Sequence, residues 1–124
     1  MGNPVGWFEI YVGDMARAKT FYEALLGVKL ERLNTPVPEL EMWAFAADMT
    51  SYGCGGALVK MDGFPAGVGG TLIYFSCEDC GVTETRVVPA GGTVVKSKMS
   101  IGEYGFISIV SDTEGNVIGL HSRV

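Results

Sequence analysis

The feature that most constrains the fold is an internal repeat. Asp14 and Asp79 each close an apolar run and open a helical pattern, and Gly27 and Gly92 each end the turn that follows, so both pairs are offset by 65 residues (79 − 14 and 92 − 27). A fixed offset of this size marks two copies of one supersecondary unit that bury their apolar faces together. At 124 residues the chain has the length of one domain, so the repeat divides that domain into two modules.

The first copy is the easier to read. "GWFEIYV" (6–12) is a strand of large apolar and aromatic residues, and "DMARAKTFYEALLG" (14–27) is a helix. Asp14 is a good N-cap, Gly27 suits the left-handed C′ position, and Met15, Ala18, Phe21, Tyr22, Leu25 and Leu26 recur at helical spacing. Lys19 and Glu23 are spaced to pair at i,i+4, and Arg17, Thr20 and Glu23 are expected to face water. "VKLERL", "LEMWAFAA" and "GGALVKM" read as three further strands, separated by turns at "NTPVPE" and around "DMTSYG".

After the Gly- and Pro-rich linker "DGFPAGVGG" the pattern restarts with "TLIYFS", a shorter helix from Asp79 stopped by Pro89, and the strands "TVVKSKM", "YGFISIVSD" and "NVIGLHS". Each module is therefore βαβββ, over about residues 1–62 and 63–124, and the class is α+β. One helix covers one face of each sheet and leaves the other for a cavity. Strand alternation sends Phe8, Ile10, Val12, Ile73, Phe75, Cys77, Ile118 and Leu120 under the helices. The open side then receives Trp7, Glu9, Tyr11, Leu72, Tyr74, Ser76, Val117, Gly119 and His121.

Composition narrows the function. A net charge of −5 with nine Lys and Arg spread along the chain argues against nucleic acid and anionic membranes as partners. Without a basic leader or an apolar run of membrane-spanning length, a cytoplasmic location is expected. In that setting Cys54, Cys77 and Cys80 are expected as thiols, and "CEDC" leaves open two small structural cysteines or a redox or metal motif.

The strand, Asp cap and helix of "EIYVGDMARAKTFYEALLGVKL", together with the hairpin "SDTEGNVIGL", resemble the vicinal oxygen chelate superfamily, which includes glyoxalase I, bleomycin-resistance proteins and extradiol dioxygenases. The resemblance covers the whole chain. It implies tandem βαβββ modules forming a curved mixed sheet around a cavity, frequently in a homodimer, and in many members a divalent metal held by His and Glu from four strands. Carried over one at a time, those ligand positions fall on Trp7, Ala57, Leu72 and Gly119, none of which can bind a metal. No cofactor is expected.

What the open side retains is polar in two places. Glu9 either finds partners in Tyr, Ser or backbone N–H groups or faces a ligand as anchor or general base; His121, the one histidine, is either a strand-end residue or a cavity group. Trp7, Tyr11, Trp43, Tyr74 and Phe45 are core aromatics or a binding wall, and Ser76 joins the ligand-facing set. Three functions stay open: a metal-free protein binding a small aromatic or amphipathic molecule, as bleomycin-resistance proteins do; a metal-independent glyoxalase-like lyase or isomerase using Glu9 or His121; and a metal-dependent lyase or dioxygenase with ligands elsewhere. The first is preferred.

Overall fold

A computed structural model describes residues 2–48 and 50–124. The elements follow the order β1 (Val5–Tyr11), α1 (Met15–Leu26), β2 (Glu31–Arg32), β3 (Glu41–Ala44), β4 (Gly55–Lys60), β5 (Thr71–Ser76), α2 (Cys80–Glu84), β6 (Thr93–Ser100), a 3₁₀ turn (Gly102–Tyr104), β7 (Phe106–Ser111) and β8 (Val117–Ser122). The βαβββ pattern thus occurs twice. Two compact units contain it, Trp7–Thr71 and Leu72–Val124, the latter joined by the N-terminal residues through Gly6.

In the Trp7–Thr71 unit the strand order is β2-β3-β4-β1, with β1 and β4 parallel and the other pairs antiparallel. Asp14 caps α1 by accepting from the Arg17 amide at 3.0 Å, and Gly27 ends it with φ 66°. Met15, Ala18 and Tyr22, spaced i, i+3 and i+7, pack onto the sheet with Ile10, Val12, Leu30 and Leu58. Phe8 completes this face through its ring contact with Phe45 at 5.6 Å.

The apolar stripe of α1 is wider than the sheet it covers, so Phe21, Leu25 and Leu26 are exposed at 58%, 63% and 54%. The expected Lys19–Glu23 pair gives way to two other contacts. Lys19 Nζ stands 3.3 Å from the centre of the Trp43 ring, and half-buried Glu23, expected in water, accepts the Leu30 amide at 2.8 Å. Leu30 is itself buried, and an orphan amide there would be costly, which explains the turn of Glu23 inward. Of the expected "DMTSYG" turn, Asp48 accepts from Thr50 and Ser51, while Met49 lies outside the described residues.

In the other unit the order is β5-β8-β7-β6, with β5 and β8 parallel and the rest antiparallel. Cys80, Val110 and Leu120 form its buried cluster, with Phe75, Cys77, Val87, Phe106 and Ile118 against it. The helix covering that face has only five residues, and the left-handed residue that follows its turn is Gly91 (φ 105°), one before the position the repeat suggests. Among the described residues no helix is long and apolar enough to cross a membrane.

The cap of α2 is also an ionic one. Asp79 accepts from the Gly81 amide at 2.9 Å and from Lys98 Nζ at 2.9 Å, and the Lys98 hydrogen bond, followed by that of Gly81, holds its carboxyl below the ordinary carboxylate range. A depressed folded pKa contributes stability above the unfolded value of about 3.9 and loses it as pH falls through the folded value. Lys98→Met, which keeps the apolar stem near Phe106, is therefore expected to melt below the parent at pH 7, with the gap closing as pH falls below the unfolded value and through the depressed folded one. Thermal unfolding across pH checks this; a gap that persists at the acid end contradicts it.

Candidate functional site

The candidate site lies on the face of β1 turned away from α1. The 2-residue period puts Trp7, Glu9 and Tyr11 there, and register adds the small residues Gly55 and Ala57 beside them, with Val59 opposite Tyr11. Glu9 is only 8% exposed. Its carboxylate accepts from the Trp7 indole Nε1–H at 3.2 Å and from the Tyr11 hydroxyl at 2.7 Å, so each oxygen is oriented by an aromatic donor on the same strand. Such charge-assisted bonds compensate a buried carboxylate and fix where it points.

Tyr11 in turn stacks on Phe64, with ring centres 5.4 Å apart and planes 23° from parallel. Phe64 escaped the sequence reading because it lies in the linker, yet it remains 46% exposed and carries the aromatic wall outward from Glu9. The available signal was a Phe between Gly63 and Pro65, out of character for a turn-forming stretch. The end of that linker is tied to β1, since the Tyr11 amide donates to Gly70 O at 2.7 Å. A shallow groove of about 550 Å³ adjoins Tyr11 between the first turns of α1 and residues 66–71. Its charged groups are Asp14, which is engaged as the helix cap, and Arg17.

Trp43 does not join this face. Its register partner Leu58 is opposite Ile10, which places the indole on the helix side, where it packs in the α1 core and donates to Glu41 Oε2 at 2.8 Å. Phe45 packs on the same side.

The remaining candidates belong to the second unit. Tyr74 is buried and lies flat across Gly119, its register partner on β8: a Cβ on Gly119 would stand 2.2–2.8 Å from three of its ring atoms. Ser76 is exposed at the end of β5 and pairs with His121. His121 Nε2 is 2.6 Å from the Tyr104 carbonyl of the 3₁₀ turn; a carbonyl only accepts, so that nitrogen carries the hydrogen and the ring ties the turn to β8.

The residues at the metal-ligand positions do not fit a metal. Ala57 and Leu72 are buried and apolar, Gly119 lies beneath Tyr74, and the indole N–H of Trp7 is a donor committed to Glu9. Among the described residues no three His, Cys, Asp or Glu side chains gather into a group that could hold an ion.

Comparison with known proteins agrees with the fold. CFP32 of Mycobacterium tuberculosis, named a glyoxylase, is 28% identical over 120 residues, which cover 96% of this chain and 45% of CFP32; the chain spans less than half the length of the curated relatives it matches. Among solved structures, a Streptomyces coelicolor methylmalonyl-CoA epimerase variant with 2-nitronate-propionyl-CoA superposes with a TM-score of 0.69 at 16% identity, covering 96% of each chain. The hypothetical protein BH1468 from Bacillus halodurans C-125 gives 0.71 at 10% identity, covering 97% of this chain and 94% of that one. At such identities these structures speak to the fold. Residues 5–120, nearly the whole chain, match the sequence pattern of the Glyoxalase/Bleomycin resistance protein/Dioxygenase superfamily, and the chain belongs to that superfamily.

Proposed function

We propose that this protein binds a small aromatic or amphipathic molecule through the Trp7–Glu9–Tyr11 face, without a metal, as a single glyoxalase-like domain of two modules that acts in the cytoplasm as a homodimer. The observation that carries the reading is the Glu9 carboxylate, buried among aromatic rings and held at both oxygens by Trp7 and Tyr11. A site of this kind combines an apolar wall with one fixed polar anchor. The anchor is anionic, so it selects ligands with an ammonium, N–H or O–H group beside the apolar part. Phe64, exposed above Tyr11, offers a ring on which a planar ligand stacks.

A second reading has one observation in its favour. An oriented, buried carboxylate is also what a general base needs, and the fold is shared with methylmalonyl-CoA epimerases. On that reading Glu9 removes and returns a proton on a bound substrate. His121 suits the role less well, because Nε2 already ties down the 3₁₀ turn.

A melting-temperature screen tests the binding reading. Aromatic amines and cationic amphiphiles are expected to raise the melting temperature, by the equivalent of about 2.7 kcal/mol at a hundredfold excess over Kd, and the matching carboxylates are not. The purified protein is expected to carry far less than one equivalent of zinc, nickel, manganese or iron, and chelator is expected to leave its melting unchanged. Preference for the carboxylates, or a stoichiometric metal lost together with ligand binding, would overturn the proposal.

A further inference from the structure

The motif that the candidate site leaves unused is "CEDC". Cys77 follows β5 and Cys80 opens α2, and both are free thiols. Three observations bring them together. The Cys77 amide donates to His121 O at 2.7 Å, and the Cys80 amide donates to the Ser122 hydroxyl at 2.8 Å. Two consecutive residues of β8, with Cα atoms about 3.8 Å apart, therefore anchor the two cysteine backbones. Both residues also belong to one apolar cluster, Cys80 buried at its centre with Val110 and Leu120, and Cys77 packed against it.

A disulfide needs Cα atoms within about 4.4–6.8 Å and side chains directed toward one another. A strand end and a helix start pinned to neighbouring residues of β8 bring both side chains into one cluster, the placement from which such a bridge closes. Their exposure differs, so a small disulfide meets Cys77 first: Cys77 is half-buried, its S–H directed to Phe75 O at 3.6 Å, and Cys80 is fully enclosed.

We propose that Cys77 and Cys80 form a reversible dithiol–disulfide pair that reacts with low-molecular-weight disulfides. The Cys77 thiolate attacks one sulfur of the small disulfide. Its S–S bond breaks, a mixed disulfide forms on Cys77, and the departing small thiolate takes up the proton that Cys77 lost. The Cys80 thiolate then attacks the Cys77 sulfur and expels the second small thiolate, which takes up the Cys80 proton. Two protein thiols are oxidised to one bridge, and one small disulfide is reduced to two thiols.

The test uses the full chain carrying Cys54→Ser, which removes the exposed thiol of the other unit. With oxidised glutathione as the probe, the intact mass is expected to fall by two hydrogens, both thiols are expected to vanish in one step of a glutathione redox titration, and dithiothreitol is expected to restore them. Adding Cys80→Ser is expected to halt the reaction at a glutathione adduct on Cys77. The mass of the Cys54→Ser protein decides the matter alone if that second variant fails to fold. Two thiols that persist, or a glutathione adduct on Cys77 that is never resolved while Cys80 is present, overturn the proposal.

Discussion

Gly119→Ala is expected to destabilise the protein by about 3 kcal/mol or more, and to lower its melting temperature by roughly 10 °C. The added Cβ would stand 2.2, 2.3 and 2.8 Å from Tyr74 Cδ1, Cε1 and Cγ, distances that real Cβ atoms do not reach. The ring cannot swing aside cheaply, because Tyr74 is 6% exposed and interior packing is dense. Tyr74→Ala alone opens a cavity and costs about 3–5 kcal/mol. In that background Gly119→Ala fills space instead of colliding with it, and is expected to cost less than about 1 kcal/mol, a coupling of 2 kcal/mol or more between the two sites. Urea denaturation of the two single variants and the double variant closes the cycle, and additive costs would show that the contact is not what keeps residue 119 small. The same geometry bears on the missing metal ligand: Gly119→Glu is expected to cost at least as much as Gly119→Ala and still to bind no metal.

Much of this architecture could be read from the residues because local signals agree with it. Asp14 and Asp79 cap helices by their side chains, and alternation along β1, β5 and β8 puts Phe8, Ile10, Val12, Phe75, Cys77, Ile118 and Leu120 on the helix side. What could not be read depended on register between distant strands. The period of β3 says that Trp43 faces opposite to its neighbours, but only the Trp43–Leu58–Ile10 alignment says which way. Glu23 and Lys19 look like a helix-surface pair until the Leu30 amide and the Trp43 ring compete for them. Of the candidate site, the Trp7–Glu9–Tyr11 triple was legible as one face of one strand, because strand geometry alone makes those three neighbours. Phe64 reaches Tyr11 through a linker in which Gly63, Gly67 and Gly69 all have positive φ, and no periodicity encodes that path.

Replacing Glu9 by Gln is expected to weaken the binding of cationic or amine-bearing ligands 10- to 100-fold while changing stability by only about 1–2 kcal/mol. The two effects separate because Gln keeps the size of the side chain and one acceptor oxygen. The Trp7 indole, a donor only, can hold that oxygen, and the Tyr11 hydroxyl can rotate to accept from the new amide. What is lost is the charge. A hydrogen bond to a charged group contributes about 1.5–3 kcal/mol, against about 1 kcal/mol for a neutral one, and a buried site magnifies the difference. Glu31→Gln, an exposed change on β2, is the control, and is expected to leave both ligand response and stability as they were. Glu23 cannot serve as that control, since its carboxylate holds the Leu30 amide. Isothermal titration and melting of the three proteins with one aromatic amine distinguish the readings of the site. A loss of affinity confined to Glu9→Gln supports the anchor, and equal affinity and equal ligand-induced melting shifts for all three proteins remove Glu9 from the binding site.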